Sequence, residues 1–359
     1  MLPILLLLPS LAAAQAIDRW KRTDEAGLTL YNSGDGTILS GSCNGRLDNV
    51  NYGGCVGGVS PEGLIAETPE VLDIAQIAVV NATVRSSSSD ATSMRFLNFS
   101  LHANQHICPG DSDIVGAVMI HGTNTLAETA FGIDLTFNCS KPFITTGSMR
   151  PNSALSPDGP FNFYGAVRTA VHPDARDRGG LMSFNDRLVS TFFATKTNAN
   201  SVTTFLNPDV GSVAQFLAGQ PYFYYPASLP IDRHYFDPTT LTLPPPRVTI
   251  VYAHQEFDAG LIRAAAADGA KGIVYMGPGP GGGIVTVVTH RTWLGFNPPS
   301  PQLDTYIHSG VLTGEQSRIQ LQLALAAGYD YRRIAQLFEG YVRRVVYNEA
   351  TAFYNGTQV

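Results

Sequence analysis

Short apolar runs recur along this 359-residue chain, each cut off by Gly, Asn, Asp or Pro. Leu28 to Tyr31 runs into Asn32-Ser33-Gly34-Asp35-Gly36-Thr37. Val115 to Ile120 runs into His121-Gly122-Thr123-Asn124-Thr125, and Leu126 to Phe131 then has helical character. Phe143 to Thr146 and Leu181 to Phe184 are two more runs of the same kind. Such runs read as short buried strands. Strands of this type alternating with helices predict an α/β fold with a mainly parallel sheet.

The length suits two domains. The larger N-terminal domain is expected over 17–218, its sheet flanked by helices. Residues 219–246 change character, with Tyr222-Phe223-Tyr224-Tyr225, Pro230, Pro238 and Pro244-Pro245-Pro246. Polyproline is semi-rigid and extended, so this segment reads as a linker. A smaller α/β domain over 247–359 follows. Val248 to Tyr252 and Gly272 to Met276 read as its strands, with a helix between them over Asp258 to Asp268. Thr313 and Gln316 have capping-box spacing and open a helix through Ala327. Ile334, Leu337, Phe338, Tyr341 and Val342 mark a final amphipathic helix.

Residues 1–16 read as a signal peptide. The apolar run Leu2 to Ala14 is shorter than the roughly 20 residues of a membrane span, and small residues follow it. This predicts a secreted protein, and no later stretch is apolar enough to span a membrane. In an oxidising route the four cysteines, Cys43, Cys55, Cys108 and Cys139, are expected as disulfides. Three pairings are possible; the local one joins Cys43 to Cys55 and Cys108 to Cys139. Glycosylation sequons stand at Asn81, Asn98, Asn138 and Asn355. The net charge of −6 excludes a strongly basic nucleic-acid binder. No His or Cys spacing of the HExxH or CxxC kind is present, so no metal site is expected. The glycine run Gly277 to Gly283 has no following Lys-Ser/Thr and does not read as a phosphate loop.

Ligands of open α/β sheets bind outside the carboxyl ends of strands. Thr37 and Thr123 stand at two such ends, each preceded by a glycine that permits close backbone approach. A hydroxyl nucleophile there would need a base and an oxyanion donor.

Four ordered blocks carry a family resemblance. His121-Gly122-Thr123-Asn124-Thr125-Leu126-Ala127-Glu128-Thr129-Ala130 resembles the HGTDTxEETA block of type II L-asparaginases. Gly36-Thr37-Ile38 resembles the end of that family's TGGTIAG motif. Gly147-Ser148-Met149-Arg150-Pro151, continuing through Ser156-Pro157-Asp158-Gly159-Pro160-Phe161-Asn162, resembles GAMRPxxxxSADGPxN. Thr195-Lys196-Thr197-Asn198 resembles TKTN. Cys108 and Cys139 flank the His121 to Ala130 block as the family's disulfide does.

The resemblance implies hydrolysis of L-asparagine to L-aspartate and ammonia, without a cofactor, by a homotetramer whose sites lie between subunits. Thr37 would be the nucleophile, helped by Tyr52. Thr123 and Lys196 would form a second hydroxyl–amine pair that orients water or relays protons. Backbone N–H groups around Thr123 would hold the oxyanion. Ser88 and Ser89 resemble the segment that holds the substrate carboxylate. Asn124 stands where the family's aspartate binds the substrate ammonium, and an amide cannot pair that charge. Asp35 replaces a family glycine, which predicts obstruction of the loop or restriction of its φ. Pro280 replaces an asparagine of the family's C-domain turn, and the segment after Gly283 looks shortened by about a helix. A non-catalytic paralogue, or an amidase for an amide without an ammonium group, therefore stands as the alternative. Outside these blocks, His121 reads as a core histidine and Asp158 as the stabiliser of its own turn. His254, His290 and His308 read as surface or packing residues, and Arg343-Arg344 as a solvated face.

Overall fold

The computed structural model describes residues 26–41, 45–47, 57–82, 88–277, 285–292, 295–299 and 306–347. The expected signal peptide, Cys43, Tyr52, Cys55, Pro280 and Asn355 lie outside the described residues.

The first part of the chain builds an eight-stranded sheet. Its strands are β1 (Ala26–Asn32), β2 (Ala75–Asn81), β3 (Ile114–Ile120), β4 (Phe143–Thr146), β5 (Gly180–Phe184), β6 (Arg187–Ser190), β9 (Ala214–Leu217) and β10 (Gln220–Phe223). They lie in the order β10-β9-β6-β5-β4-β3-β1-β2. The strands from β2 to β5 pair in parallel, whereas β5–β6, β6–β9 and β9–β10 pair antiparallel. Between β6 and β9 a small hairpin forms from β7 (Thr195–Lys196) and β8 (Phe205–Leu206).

Helices α1 (Pro61–Glu67), α2 (Ser93–His106), α3 (Leu126–Thr136) and α4 (Gly159–Ala170) cover this sheet. Successive strand residues serve different layers. Ala117 and Met119 of β3 join Phe96 and Phe131 of α2 and α3, whereas Val118 and Ile120 join Leu64 and Phe163 of α1 and α4. Both faces are buried, which is why the strand runs are apolar at consecutive positions.

The second part builds a four-stranded parallel sheet from β11 (Val248–Tyr252), β12 (Gly272–Met276), β13 (Val285–Thr289) and β14 (Ile307–His308), in that order. Helix α5 (Gly260–Ala267) links β11 to β12, and α6 (Gly314–Ala326) and α7 (Tyr331–Tyr347) close the chain's described part. Only residues 277–284 separate β12 from β13. A crossover between parallel neighbours ordinarily takes about a dozen or more residues. The expected capping box is present: Thr313 Oγ1 accepts from Gln316 N–H, and Gln316 Oε1 accepts from Thr313 N–H. The Gln316 amide also donates to Phe192 O over 2.7 Å, and Arg318 pairs with Glu128 over 2.6 Å, so α6 is tied to the segment after β6 and to α3.

Two readings of the sequence are corrected here. The first sheet does not stop at residue 218: β10 continues it through Phe223, inside the segment expected to be linker. A two-residue turn with φ of 49° at Ala218 and 76° at Gly219 joins β9 to β10. Alanine is not a usual residue at a positive φ, so the turn was not legible. Pro221 is tolerated because β10 is the sheet's edge. The remaining connector is pinned rather than free: Arg178 donates to Tyr225 O and Pro226 O, and Arg233 pairs with buried Asp134. In the second correction, Arg343 is not solvated. It is 3% exposed and donates to Glu339 over 2.8 Å, while Glu339 also accepts from His308 N–H. Arg344 is exposed and lies over the Tyr341 ring. Each residue step along a helix rotates the side chain by about 100°, so two consecutive arginines need not share an environment.

Cys108 and Cys139 are joined by a disulfide, with Cα atoms 5.5 Å apart. Of the sequons, Asn81 and Asn138 are exposed and Asn98 is half-buried within α2.

Candidate active site

The parallel strands have the order β2-β1-β3-β4-β5. Chain direction across the sheet therefore reverses between β1 and β3, and a crevice opens outside their carboxyl ends. Thr37 follows β1 and Thr123 follows β3, so the switch point brings the two predicted threonines to one crevice. Both are buried.

The two loops touch through their glycines. A Cβ on Gly36 would lie 2.8 Å from the Cα and N of Gly122, and one on Gly122 would lie 2.5 Å from Ser88 Oγ. Gly36 also has φ of 104°, a conformation that L side chains avoid. Thr37 then opens a short 3-10 turn, Thr37–Leu39, whose Ile38 and Leu39 anchor it in the core.

Lys196 reaches the site from β7. Its partner Phe205 on β8 is buried against Phe184, which fixes the hairpin. Lys196 Nζ donates to Thr123 Oγ1 over 2.9 Å. Burial lowers the lysine's pKa from its ordinary value, which favours the neutral amine that can act as a base.

The turn Ser88–Asp90 supplies the next wall. Ser88 is buried beside Gly122, and its carbonyl accepts from Thr125 Oγ1 over 2.6 Å. Exposed Ser89 and Asn124 meet: Asn124 Nδ2 donates to Ser89 Oγ over 2.9 Å.

His121 is fully buried. Its Nδ1 lies 2.7 Å from Gly122 O, and a carbonyl only accepts, so Nδ1 carries the proton. Nε2 lies 3.1 Å from Thr129 Oγ1 on α3. Burial lowers the imidazole's pKa, opposed by the Asp35 charge. It is a neutral strut for the Thr123 loop. Asp158 holds a turn: it accepts from Met149 N–H at 3.0 Å and Arg150 N–H at 2.9 Å. Asn162 links this turn to Gly147 O over 3.0 Å.

Asp35 corrects the expectation of an obstructed loop. Its φ is not positive; the turns fall on Gly34 and Gly36 on either side. The side chain points inward and pairs with Arg95 of α2 over 2.9 Å. Its Oδ1 accepts from Gly122 N–H over 3.1 Å and from Ser33 Oγ. Arg95 lies 60 residues from Asp35, and no motif in the sequence pointed to it.

This arrangement has known counterparts. The asparaginase N-terminal family model matches residues 35–229. The chain belongs to the asparaginase family. It is 41% identical over 247 residues to L-asparaginase 2-3 of Saccharomyces cerevisiae, covering 64% of this chain and 68% of that one. To L-asparaginase 2 of Escherichia coli it is 31% identical over 334 residues, covering 88% of this chain and 93% of that one. The crystal structure of a probable cytoplasmic L-asparaginase from Campylobacter jejuni superposes with a TM-score of 0.76 at 27% identity, covering 88% of this chain and 99% of that one. As an asparaginase-family chain, it carries all four ordered sequence blocks within the described residues; two of them meet at Gly36 and Gly122, and a third reaches Thr123 through Lys196.

Proposed function

We propose that the chain is an L-asparaginase with Thr37 as nucleophile. The carrying observation is the hydrogen bond from Lys196 to Thr123 in the crevice that Thr37 also borders. Thr37 Oγ attacks the carboxamide carbon, its proton passes to the leaving nitrogen, and ammonia departs from the acyl-enzyme. Water activated by the Thr123–Lys196 pair then attacks the ester and releases aspartate and free Thr37. Gly122 N–H is committed to Asp35, which leaves the N–H of Thr123 for the developing oxyanion. Ser88 and Ser89 take the substrate carboxylate, and Tyr52 assists Thr37.

Ammonia release from asparagine, glutamine and simple amides by the purified protein tests this reading. No release from any of them would overturn it in favour of a non-catalytic paralogue. A second reading, an amidase for amides without an α-ammonium group, is favoured by Asn124, a neutral amide that donates to Ser89. Preference for such amides over asparagine would select it.

Secretion and tetrameric assembly are part of the proposal. The Cys108–Cys139 disulfide supports an oxidising compartment, as does the apolar run Leu2 to Ala14.

A further inference from the structure

We propose that Arg95 is a positioning residue for Thr37. With Asp35 it forms a buried ionic clamp that holds the Thr37 loop on the Thr123 loop. The inference rests on the amidohydrolase reading above, but its geometry can be measured independently.

Asp35 lies two residues before Thr37, and its carboxylate joins three separate parts of the site. Oδ2 takes Nη1 of Arg95, in the first turn of α2, at 2.9 Å. Oδ1 takes the N–H of Gly122, the residue before Thr123, at 3.1 Å. Ser33 Oγ, at the end of β1, donates to the same oxygen. The turn bearing Ser88 and Ser89 leads directly into α2. One carboxylate thus ties together the loops of both threonines and the helix that follows the serine turn.

The pair is dry, with side chains 9% and 1% exposed for Arg95 and Asp35. A buried ion pair is often no more stabilising than apolar residues of the same volume, whereas removing one partner strands a charge. Stability alone is therefore a poor reason for a carboxylate two residues from a nucleophile. The backbone accepts it without strain, since Gly34 and Gly36 carry the positive φ values. At the Gly36–Gly122 contact the loops have no side chains to interlock. The Asp35–Gly122 hydrogen bond fixes their register at that point, and the ion pair with Arg95 keeps the Asp35 carboxylate aimed.

In Arg95→Met the Asp35 carboxylate loses its counter-charge. Left buried without the partner that aims it, the carboxylate shifts, and its bond to Gly122 is disturbed. Asp35→Asn in that background removes the stranded charge and keeps an oxygen that can accept from Gly122 N–H.

The test uses the full-length protein in four forms: wild type, Arg95→Met, Asp35→Asn and the double variant. Steady-state kinetics on asparagine are measured with hydrogen–deuterium exchange of the segment containing Gly122. Arg95→Met is expected to lower kcat by about 100-fold, the scale of a small misplacement of reacting groups, with KM little changed. The double variant is expected to recover most of that loss. Exchange at Gly122 should quicken in Arg95→Met and slow again in the double variant. Unchanged kcat with a lowered melting temperature would overturn the proposal, because a structural pair alone would do that. A double variant no better than Arg95→Met would also overturn it. Should Arg95→Met fail to fold, Asp35→Asn carries the same expectation, because it removes the carboxylate's charge and with it the ion pair to Arg95. If the wild type hydrolyses no amide, the amidohydrolase reading fails and exchange decides the clamp. Quickened exchange upholds it as the tie between the loops, and unaltered exchange overturns it.

Discussion

Lys196 Nζ donates to Thr123 Oγ1 over 2.9 Å, across 73 residues of chain. The pair unites a short hairpin with the carboxyl end of β3. Lys196→Met removes the amine without adding charge, and is expected to lower kcat by about 10²- to 10⁴-fold, the usual contribution of a positioned acid–base group. The pH profile checks the role. Burial lowers the lysine's pKa, so the neutral base forms as pH rises and kcat/KM climbs through that lowered value. The alkaline rise should vanish in Lys196→Met; its persistence would move the proton relay elsewhere.

Thr37→Ala should abolish amide hydrolysis, by about 10⁴-fold or more, as loss of a nucleophile does. The melting temperature should change little, because only a hydroxyl and one methyl group are lost from the start of a short turn. Turnover like that of the wild type would remove Thr37 from the mechanism.

Asn124 Nδ2 is bonded to Ser89 Oγ and carries no charge. Asn124→Asp should raise kcat/KM for asparagine by about tenfold, discounted for exposure from the roughly 2–5 kcal/mol of a buried charge pair. An amide without an α-amino group should gain nothing. Competition kinetics on the two substrates separates the cases: equal gains would exclude ammonium binding at this position.

Acid stability should depend on His102. Burial, with help from the His106 charge, pushes its pKa down to about 4. The unfolded chain binds the proton near pH 6.5, so stability from this group is complete above that pH. It is lost as pH falls from there towards 4. His102→Gln should flatten the fall in melting temperature between pH 7 and pH 4. An unchanged slope in thermal melts would reject the assignment.

Replacing Cys108 and Cys139 together by Ala should cost about 3–4 kcal/mol, the loop-closure value for the sequence separation of 31. Denaturant titration of the double variant against the wild type measures it. A loss below about 1 kcal/mol would show that α2 and α3 hold the loop without the bond.

The family resemblance implies a tetramer with sites between subunits. Residues 277–284 are too few for an ordinary crossover, and Pro280 falls among them. The partner is therefore expected to contribute less to each site than in the family at large. Light scattering on the deglycosylated protein should give four chains; a monomer at micromolar concentration would exclude a shared site.

The sequence by itself determined the α/β class and the main strand positions, and it set Thr37 and Thr123 at the ends of β1 and β3. Consecutive apolar residues report burial on both faces of a strand, and a glycine beside a threonine at a strand end reports close backbone approach. Those signals are local, so a linear reading recovers them at Thr37 and Thr123 and, through ordered blocks, at Lys196. Tertiary structure alone decided what Asp35 does. In the chain it is a departure two residues before Thr37; in the fold it is paired with Arg95 and bonded to Gly122, 60 and 87 residues away. It decided Arg343 and β10 in the same way, since helix rotation buried one of two neighbouring arginines and a positive φ at Ala218 returned the chain to the sheet edge. A charge's partner, and the burial that sets its strength, depend on which segments pack together, and no local pattern carries that information.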